Sequence, residues 1–408
     1  MVDFSRTAPL YLNNEHMRIL AIETSCDETG VALVGASGGL QSPRFKILKN
    51  LVASQIKIHR PFGGVVPNLA KREHIRNLPI LFKKLAVDFS KSKFKSQKSK
   101  IQLESKKPLP TTYNILPNID LIAVTVGPGL EPALWTGINF AKEIYRNLKP
   151  NTYNLKPKLI GANHLEGHLY SFLLPQKTKN LESRIKNLEK VFPAVALIVS
   201  GGHTILLLMK SLTKWKKLGE TRDDAAGEAF DKVARMLQLP YPGGPEIEKL
   251  SYRGSTSIDF PRPMMHDKSF NFSFSGLKTS VLYYLRDNLS STNNELSTNI
   301  RIRKFAKDSL FADVSASFQQ AVIDVLVHKT IRAAKEYKAR AVMLSGGVAA
   351  NRLLRKTLKA KCDMSHLTFC VPQIKYNLDN AVMIAVAGYM AHLRKKNYKL
   401  AAQGNLSI

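Results

Sequence analysis

Ala194-Val195-Ala196-Leu197-Ile198-Val199-Ser200-Gly201-Gly202-His203-Thr204 joins an unbroken apolar run to a small, polar, glycine-rich turn. A short apolar run bounded by a turn signal is the pattern of a strand buried on both faces. The pattern returns at Ala341–Leu344, which runs into Ser345-Gly346-Gly347 and then a helix around Asn351 and Arg355. Outward from these, Ile19–Ile22, Val31–Val34 and Leu121–Val126 also read as strands. The last of them ends in Gly127-Pro128-Gly129, ahead of a helix through Trp135 to Ile144. Alternating strands and helices place the chain in the α/β class. The recurring Ser-Gly-Gly turn is a faint internal duplication, marking either two related halves or two ends of one nucleotide cleft.

The chain has 408 residues, enough for two domains, and 44% of them are hydrophobic, which supports large cores. Lys and Arg number 61 against 31 Asp and Glu, a net charge of +30. Such an excess fits a polyanionic partner, because each neutralised phosphate releases a counterion; a generally lysine-rich proteome gives the same number. Cys26, Cys362 and Cys370 form no disulfide framework and no C-x-x-C, which suits a reducing compartment. Cys26 lacks an adjacent base and reads as a packed small residue. No uncharged apolar run approaches the ~20 residues a membrane helix needs, so no membrane partner is expected. Residues 1–16, with Arg6, Asp3 and Glu15, make a poor signal or transit peptide and read as an extension. The stretch 91–110 is rich in Lys, Ser and Gln and reads as an exposed basic insertion; the charged stretch 177–190 reads as a link between halves.

Three sets of residues carry chemistry. The glycine turns, with the polar turn Thr24–Thr29, suit a cleft that grips phosphate, since glycine lets backbone N–H groups approach an anion. No Walker A run and no G-x-G-x-x-G follows the first strand, which disfavours P-loop and dinucleotide folds. His164-Leu165-Glu166-Gly167-His168 puts two imidazoles at i and i+4, on one helix face and within reach of one metal ion. It follows the strand Leu159–Gly161, at the carboxyl end where α/β proteins place ligands. Asp379, in Leu378-Asp379-Asn380-Ala381, is the candidate third ligand. A zinc protease needs Glu directly after the first His; here that position is Leu165, and Glu166 lies roughly 200° around the helix from His164.

In Asp223 to Lys232, the residues Asp224, Glu228 and Asp231 share a helix face, where like charges are tolerable if a cation or ribose lies opposite. Asp223 reads as a cap for this helix, and Asp231, beside Phe230, as a ligand residue. Tyr241-Pro242-Gly243-Gly244-Pro245 reads as a rigid turn, with Glu246 or Glu248 opening the next helix. Phe272 to Thr279 is either a lobe interface or a means of bringing Lys278 to a phosphate.

These stretches, in order from about Arg18 to Gly388, resemble the tRNA N(6)-adenosine threonylcarbamoyltransferases, the TsaD family. The matching motifs are Ile22 to Thr29, Gly63-Gly64-Val65-Val66-Pro67, Gly127 to Leu130, His164 to His168, Val199 to Thr204, Asp223 to Lys232, Pro242 to Pro245, Phe272 to Thr279, Ser345 to Asn351 and Asp379-Asn380. Ser-Gly-Gly-His-Thr is similar to the bacterial and organellar branch, whereas the archaeal and eukaryotic cytosolic branch usually has Asn where His203 stands. The resemblance implies a two-lobed actin/Hsp70/hexokinase-like fold with a nucleotide cleft: an N-terminal lobe over 17–190, a C-terminal lobe over 191–388 and a C-terminal helix and tail over 389–408. It implies one divalent metal, iron or zinc, on His164, His168 and Asp379. Ile198, Val199, Ser200, Gly201 and Gly202 would grip the phosphate and acyl part of the donor, and Asp231, Gly244, Glu248 and Asn351 its ribose and adenine.

The implied reaction moves the threonylcarbamoyl group from threonylcarbamoyl-AMP to the exocyclic amine of adenosine 37, in tRNAs reading codons that begin with adenine. The alternatives are a metalloprotease and a non-catalytic partner subunit; Leu165 opposes the first, and retention of both histidines with Asp379 opposes the second. Archaeal members carry a tyrosine where this chain has Ile198, leaving three protein ligands. The stretches 91–110 and 177–190 are longer than usual, and the Arg- and Trp-containing tail of bacterial relatives does not follow Ile408. Bacterial relatives work with a TsaB-like degenerate paralogue and a TsaE-like small ATPase, and organellar ones act as homodimers. With no convincing import sequence before Met17, the expectation is the bacterial, partner-dependent mode in the cytoplasm, the alternative being mitochondrial or organellar.

Overall fold

The computed structural model describes residues 17–96, 118–148, 156–175, 188–295 and 300–408. Its first sheet is built from β1 (Met17–Glu23), β2 (Glu28–Ser37), β3 (Arg44–Ser54), β4 (Leu121–Gly127) and β5 (Lys158–Asn163), ordered β3-β2-β1-β4-β5. The second contains β6 (Ala194–Val199), β7 (Thr204–Met209), β8 (Trp215–Glu220), β9 (Ala341–Ser345) and β10 (Thr368–Cys370), ordered β10-β9-β6-β7-β8. Each sheet is a three-strand antiparallel meander whose first strand pairs in parallel with a strand from later in the chain. The two are therefore copies of one topology, 3-2-1-4-5, and the duplication expected from sequence is present at that level.

Its basis differs from the expected one. The two Ser-Gly-Gly turns are not equivalent points of two halves, because β6 and β9 are neighbours in one sheet, with Ile198 opposite Ser345. By topology, the turn after β6 corresponds to Thr24–Asp27 after β1, and Ser345-Gly346-Gly347 corresponds to Gly127-Pro128-Gly129 after β4. Gly346 has φ +94°, and a Cβ there would strike the carbonyl oxygen of Val199. Only glycine lets the β9 turn lie this close to β6.

Helices complete the layers. These are α1 (Ile56–His59), α2 (Pro67–Ser96), α3 (Glu131–Asn147), α4 (His164–Tyr170), α5 (Ala226–Met236), α6 (Gly243–Ser251), α7 (Ser275–Glu295), α8 (Ile300–Glu336), α9 (Arg352–Met364) and α10 (Ala381–Leu393). Leu78, Leu85, Ile138 and Ala141 of α2 and α3 cover one face of the first sheet. Val233 of α5 and Phe318 and Val322 of α8 pack on one face of the second. A third core lies between the sheets and joins Ile19, Ala21, Ala196 and Ile198 to α10. Helix α10 runs across residue 388, the expected lobe boundary, and packs on the strands of the first sheet.

Helix α2 continues through residues 91–96, into the stretch expected to be an exposed loop; 97–110, 1–16 and most of 177–190 lie outside the described residues. Lys307–Glu336 is long and apolar enough to cross a membrane by length and composition, although Asp313 and Asp324 interrupt it, so the expectation of no long uncharged run stands. The most apolar 18 residues of this helix are 78% buried inside the protein, as in the core helix of the second lobe.

Gly346→Ala adds both the positive-φ strain and the clash with Val199. It is expected to lower stability by at least about 2 kcal/mol, read from the urea midpoint at unchanged m-value. An unchanged midpoint would mean that the β9 turn can move away from β6.

Candidate active site and metal centre

Asn163, the last residue of β5, caps α4: its Oδ1 accepts from the N–H of Leu165 at 2.8 Å and of Glu166 at 3.3 Å. Its Nδ2 donates to the carbonyl of Ser407 at 2.9 Å, tying the cap to the C-terminal segment. The helix this cap starts is short and carries His164 and His168 on one side, with ring centroids 4.7 Å apart and planes at 89°. Glu166 points elsewhere. It is fully buried and accepts from Arg394, from Tyr398 Oη at 2.6 Å and from Lys396 Nζ at 3.1 Å. A carboxylate committed to two cations and a phenol is not a protease base.

Asp379 comes from the turn ahead of α10, where Asn380 caps the helix by accepting from Met383 N–H at 3.1 Å. Its Oδ1 lies 3.4 Å from His164 Nε2 and 3.2 Å from His168 Nε2, and one ligand atom from each of the three residues falls within 4.8 Å of the others. Despite that proximity, neither ring nitrogen of the wholly buried His168 has a partner in hydrogen-bonding geometry among the described residues. A buried polar ring without a partner is costly. Two imidazoles and a carboxylate gathered this closely are a donor set for a divalent ion, which would take the place of the proton they share. The residues present therefore fit the metal.

Glu23, at the carboxyl end of β1, orders the site from behind. Its Oε2 lies 3.2 Å from His164 Nδ1 and accepts from Thr125 Oγ1 at 2.7 Å, while Oε1 accepts from Ser25 N–H at 2.5 Å. A carboxylate on the distal ring nitrogen fixes the tautomer that presents Nε2. Burial disfavours charge on His164, but Asp379 and Glu23 outweigh it and raise its pKa to about 9. Burial likewise opposes charge on Asp379, but the two imidazoles hold its pKa down at about 2. In the sequence Glu23 lies inside the Ile22 to Thr29 motif with no role assigned to it; an acid closing an otherwise apolar strand is the signal that marks it.

The turn Ser200–His203 faces this centre. Ser200 N–H donates to the His203 carbonyl at 2.8 Å, and His203 N–H donates to Ser200 Oγ at 3.2 Å. A Cβ on Gly201 or Gly202 would meet open space, so their backbone is free to approach a ligand. Burial, followed by the nearby His164 and His168, depresses the His203 pKa to about 4, which puts the turn within electrostatic reach of the triad. The side chains of Ile198 and Val199 are buried in the cores and do not face the cleft.

The remaining candidates are structurally committed. Asp231 Oδ1 accepts from Gly243 N–H at 2.7 Å and holds the turn before α6; burial, with Asp27 nearby, raises its pKa to about 6. A Cβ on Gly244 meets open space. Glu248 Oε1 accepts from Arg352 N–H at 2.7 Å, and Asn351 Oδ1 accepts from Leu354 N–H at 2.9 Å, so these two residues cap the same helix, α9. Gln319, which the sequence reading did not single out, receives Asn351 Nδ2 at 2.7 Å.

Asp223 is a cap, but not of its own helix: it accepts from Phe274 and Ser275 N–H at 2.8 and 3.3 Å, at the start of α7. The cation opposite Asp224 is supplied by Lys232 at 2.7 Å and Lys278 at 2.8 Å, which resolves the role left open for Lys278. Burial raises the Cys26 pKa well above its usual value, in keeping with a packed thiol. The lobes meet beside it, where Tyr241 Oη donates to Asp27 Oδ2 at 3.2 Å and Arg235 donates to the carbonyl of Gly63 at 2.5 Å.

The family model described as TsaD, tRNA N6-adenosine threonylcarbamoyltransferase, matches residues 46–96 and 111–386. The transferase of that name from Thermosipho africanus is 43% identical over 397 residues, spanning 96% of this chain and all of the relative. The one from Bacillus subtilis is 42% identical over 376 residues, spanning 92% of this chain and 90% of the relative. Among solved structures, HypF of T. kodakarensis aligns over 94% of this chain and 49% of its own length, with TM-score 0.52 at 14% identity, a likeness of fold alone.

Two substitutions separate ordering from support. Glu23→Gln is expected to weaken divalent-ion affinity by about 10–100-fold, read by competition with a chelator, with little effect on folding. Glu166→Ala leaves Arg394 buried without its partner and is expected to cost about 3–5 kcal/mol of stability, read by denaturant unfolding. Wild-type metal affinity in the first variant would remove Glu23 from the metal site.

Proposed function

The chain belongs to the tRNA N6-adenosine threonylcarbamoyltransferase family, and from that premise we propose how its residues divide the work. The reaction is an acyl transfer, from threonylcarbamoyl-AMP to the exocyclic amine of adenosine 37 in tRNA. An aryl amine is a weak nucleophile and the mixed anhydride is activated, so the protein contributes mainly orientation and support of developing negative charge.

His164, His168 and Asp379 would hold one divalent ion, iron or, second to it, zinc, with Glu23 orienting His164. Such an ion supplies Lewis-acid polarisation of an acyl or phosphoryl oxygen. Ser200, Gly201 and Gly202 would bind the donor's phosphate and acyl oxygens through backbone N–H groups, Ile198 and Val199 serving as the buried strand that aims them. Gly244 offers an open backbone to the ribose, and Asp231, Glu248 and Asn351 build the walls of the adenosine pocket through the turn and helix start they hold. The observation that supports this reading is that His164, His168 and Asp379 gather their ligand atoms within 4.8 Å of one another, in electrostatic reach of His203 and the turn that carries the open Gly201-Gly202 backbone.

The partner reading is a TsaB-like paralogue with a TsaE-like ATPase, a homodimer being the alternative. It is supported by a cavity of about 930 Å³ between α2 and α3, away from the triad, beside which Ile75 and Trp135 are 54% and 40% exposed. An apolar groove of this kind marks a protein contact. The free thiols Cys26, Cys362 and Cys370 support a reducing compartment, the cytoplasm.

With purified partners, donor and unmodified tRNA, His168→Ala is expected to lower N6-threonylcarbamoyladenosine formation by more than about 100-fold, measured by nucleoside mass spectrometry. Activity retained by both His168→Ala and a chelated wild type would overturn the metal reading.

A further inference from the structure

Beyond the cleft, one surface of the second lobe gathers positive charge from three separate segments. Arg222 follows β8, His266 and Lys268 lie in the loop ahead of α7, and His328, Lys329 and Arg332 lie on α8. Within this group Asp267 is the one carboxylate, and Lys329 and Arg222 both act on it electrostatically. The group divides into a frame and a face.

The frame is internal. Arg332 donates to the carbonyls of Asp267, Lys268 (3.2 Å) and Ser269 (2.5 Å), and the buried Lys329 donates to the Ser269 carbonyl at 3.0 Å. These bonds pin the loop on α8 and fix where its exposed residues stand. The face is external. Arg222, His266, Lys268 and His328 are exposed, and the side chains of Arg222 and Lys268 make no hydrogen bond or ion pair among the described residues. The two imidazoles sit edge to face, with centroids 5.2 Å apart. Positive charge is in surplus here: burial, then Arg332 and Arg222, draw the Lys329 pKa down to about 8, against the single pull of Asp267.

The patch is also tied to the cleft. Arg222 N–H donates to the Phe272 carbonyl at 2.9 Å, and Thr221 N–H donates to the Thr204 carbonyl at 2.9 Å, Thr204 being the residue that closes the Ser200–His203 turn. A ligand held by Arg222 is thus held in fixed relation to the Gly201-Gly202 backbone.

We propose that Arg222 and Lys268, on the loop framed by Lys329 and Arg332, bind backbone phosphates of the tRNA flanking the reacting adenosine, and so set its register in the cleft. Unpaired cations mixed with exposed rings suit a flexible, phosphate-rich strand, whose charge is met by the cations and whose bases can lie on the imidazoles. An acidic protein surface would meet the cations but give the rings no role. The proposal rests on the family's tRNA substrate, and its test reads binding apart from turnover.

The experiment compares Arg222→Ala/Lys268→Ala with Arg44→Ala/Lys46→Ala, which removes the same charge from exposed positions on β3 of the other lobe. Affinity for an unmodified tRNA transcript is measured on the full chain between 50 and 200 mM salt, by roughly the range over which phosphate contacts are resolved. The patch variant is expected to bind at least about tenfold more weakly, with a salt slope shallower by about 1.4–1.8, as for two lost phosphate contacts. The β3 variant should bind as wild type, and Arg222→Lys/Lys268→Arg should restore affinity and slope. At saturating tRNA the patch variant should keep kcat while KM for tRNA rises. Equal losses in both alanine variants would reduce the effect to bulk charge and overturn the proposal. So would wild-type tRNA binding accompanied by lost retention of a polyglutamate peptide, which would assign the patch to an acidic protein. Failure of the transferase reading would show separately, as tRNA binding without threonylcarbamoyl transfer.

Discussion

The seven-residue helix His164–Tyr170 cannot hold its own shape, since isolated helices of that length do not persist in water, yet it carries two of the three residues that could hold a metal ion. What fixes it is contact at both ends and along the far face. Asn163 caps its start and is itself held by Ser407; Glu166 is gripped by Arg394, Lys396 and Tyr398. Arg394 in turn lies over the rings of Tyr170 and Trp215, 5.7 and 4.9 Å from their centroids. The side of the helix that does not touch the cleft therefore decides where the imidazoles stand. A buried ion cluster of this kind is a weak source of net stability but a strict one of position, because each partner left alone would be a buried charge.

The second constraint is the shared topology of the two sheets. Each brings a turn after its central strand, and another after the parallel neighbour, to its carboxyl edge. With the edges facing, Glu23 and Thr125 of one lobe stand behind the imidazoles, and Ser200–His203 of the other stands in front. Helix α10 makes this arrangement a single body: it begins at Asp379-Asn380 in the cleft and ends in the core between the sheets. The third candidate ligand, Asp379, is thus delivered by an element that packs with the first lobe although it follows the second in sequence.

Most of the polar residues around the cleft act on the backbone rather than pointing at it. Asp231 holds the Gly243 turn, Glu248 and Asn351 cap α9, Asp223 caps α7, and His74 supports the first turn through Thr29 at 2.8 Å and the Cys26 carbonyl at 2.9 Å. A cleft that grips anions with main-chain N–H groups needs its loops stiff, and short polar side chains bonded to loop backbone achieve that without occupying the ligand's space.

By itself the sequence determined the α/β class, the strand-to-turn junctions, the family, and the pairing of His164 with His168. All of these are local: apolar run length, glycine chemistry and the i, i+4 geometry of a helix are written within a few residues of one another. Only the tertiary structure decided that Asp379 reaches that pair, that Glu23 stands behind it, that Glu166 is turned away into an ion cluster, and that the two Ser-Gly-Gly turns are neighbours in one sheet instead of mirrors across two. Those facts depend on contacts between residues from 141 to more than 200 positions apart, such as His164 with Glu23 and Glu166 with Tyr398. No periodicity encodes such contacts, because they are set by which faces of the sheets and helices bury against each other.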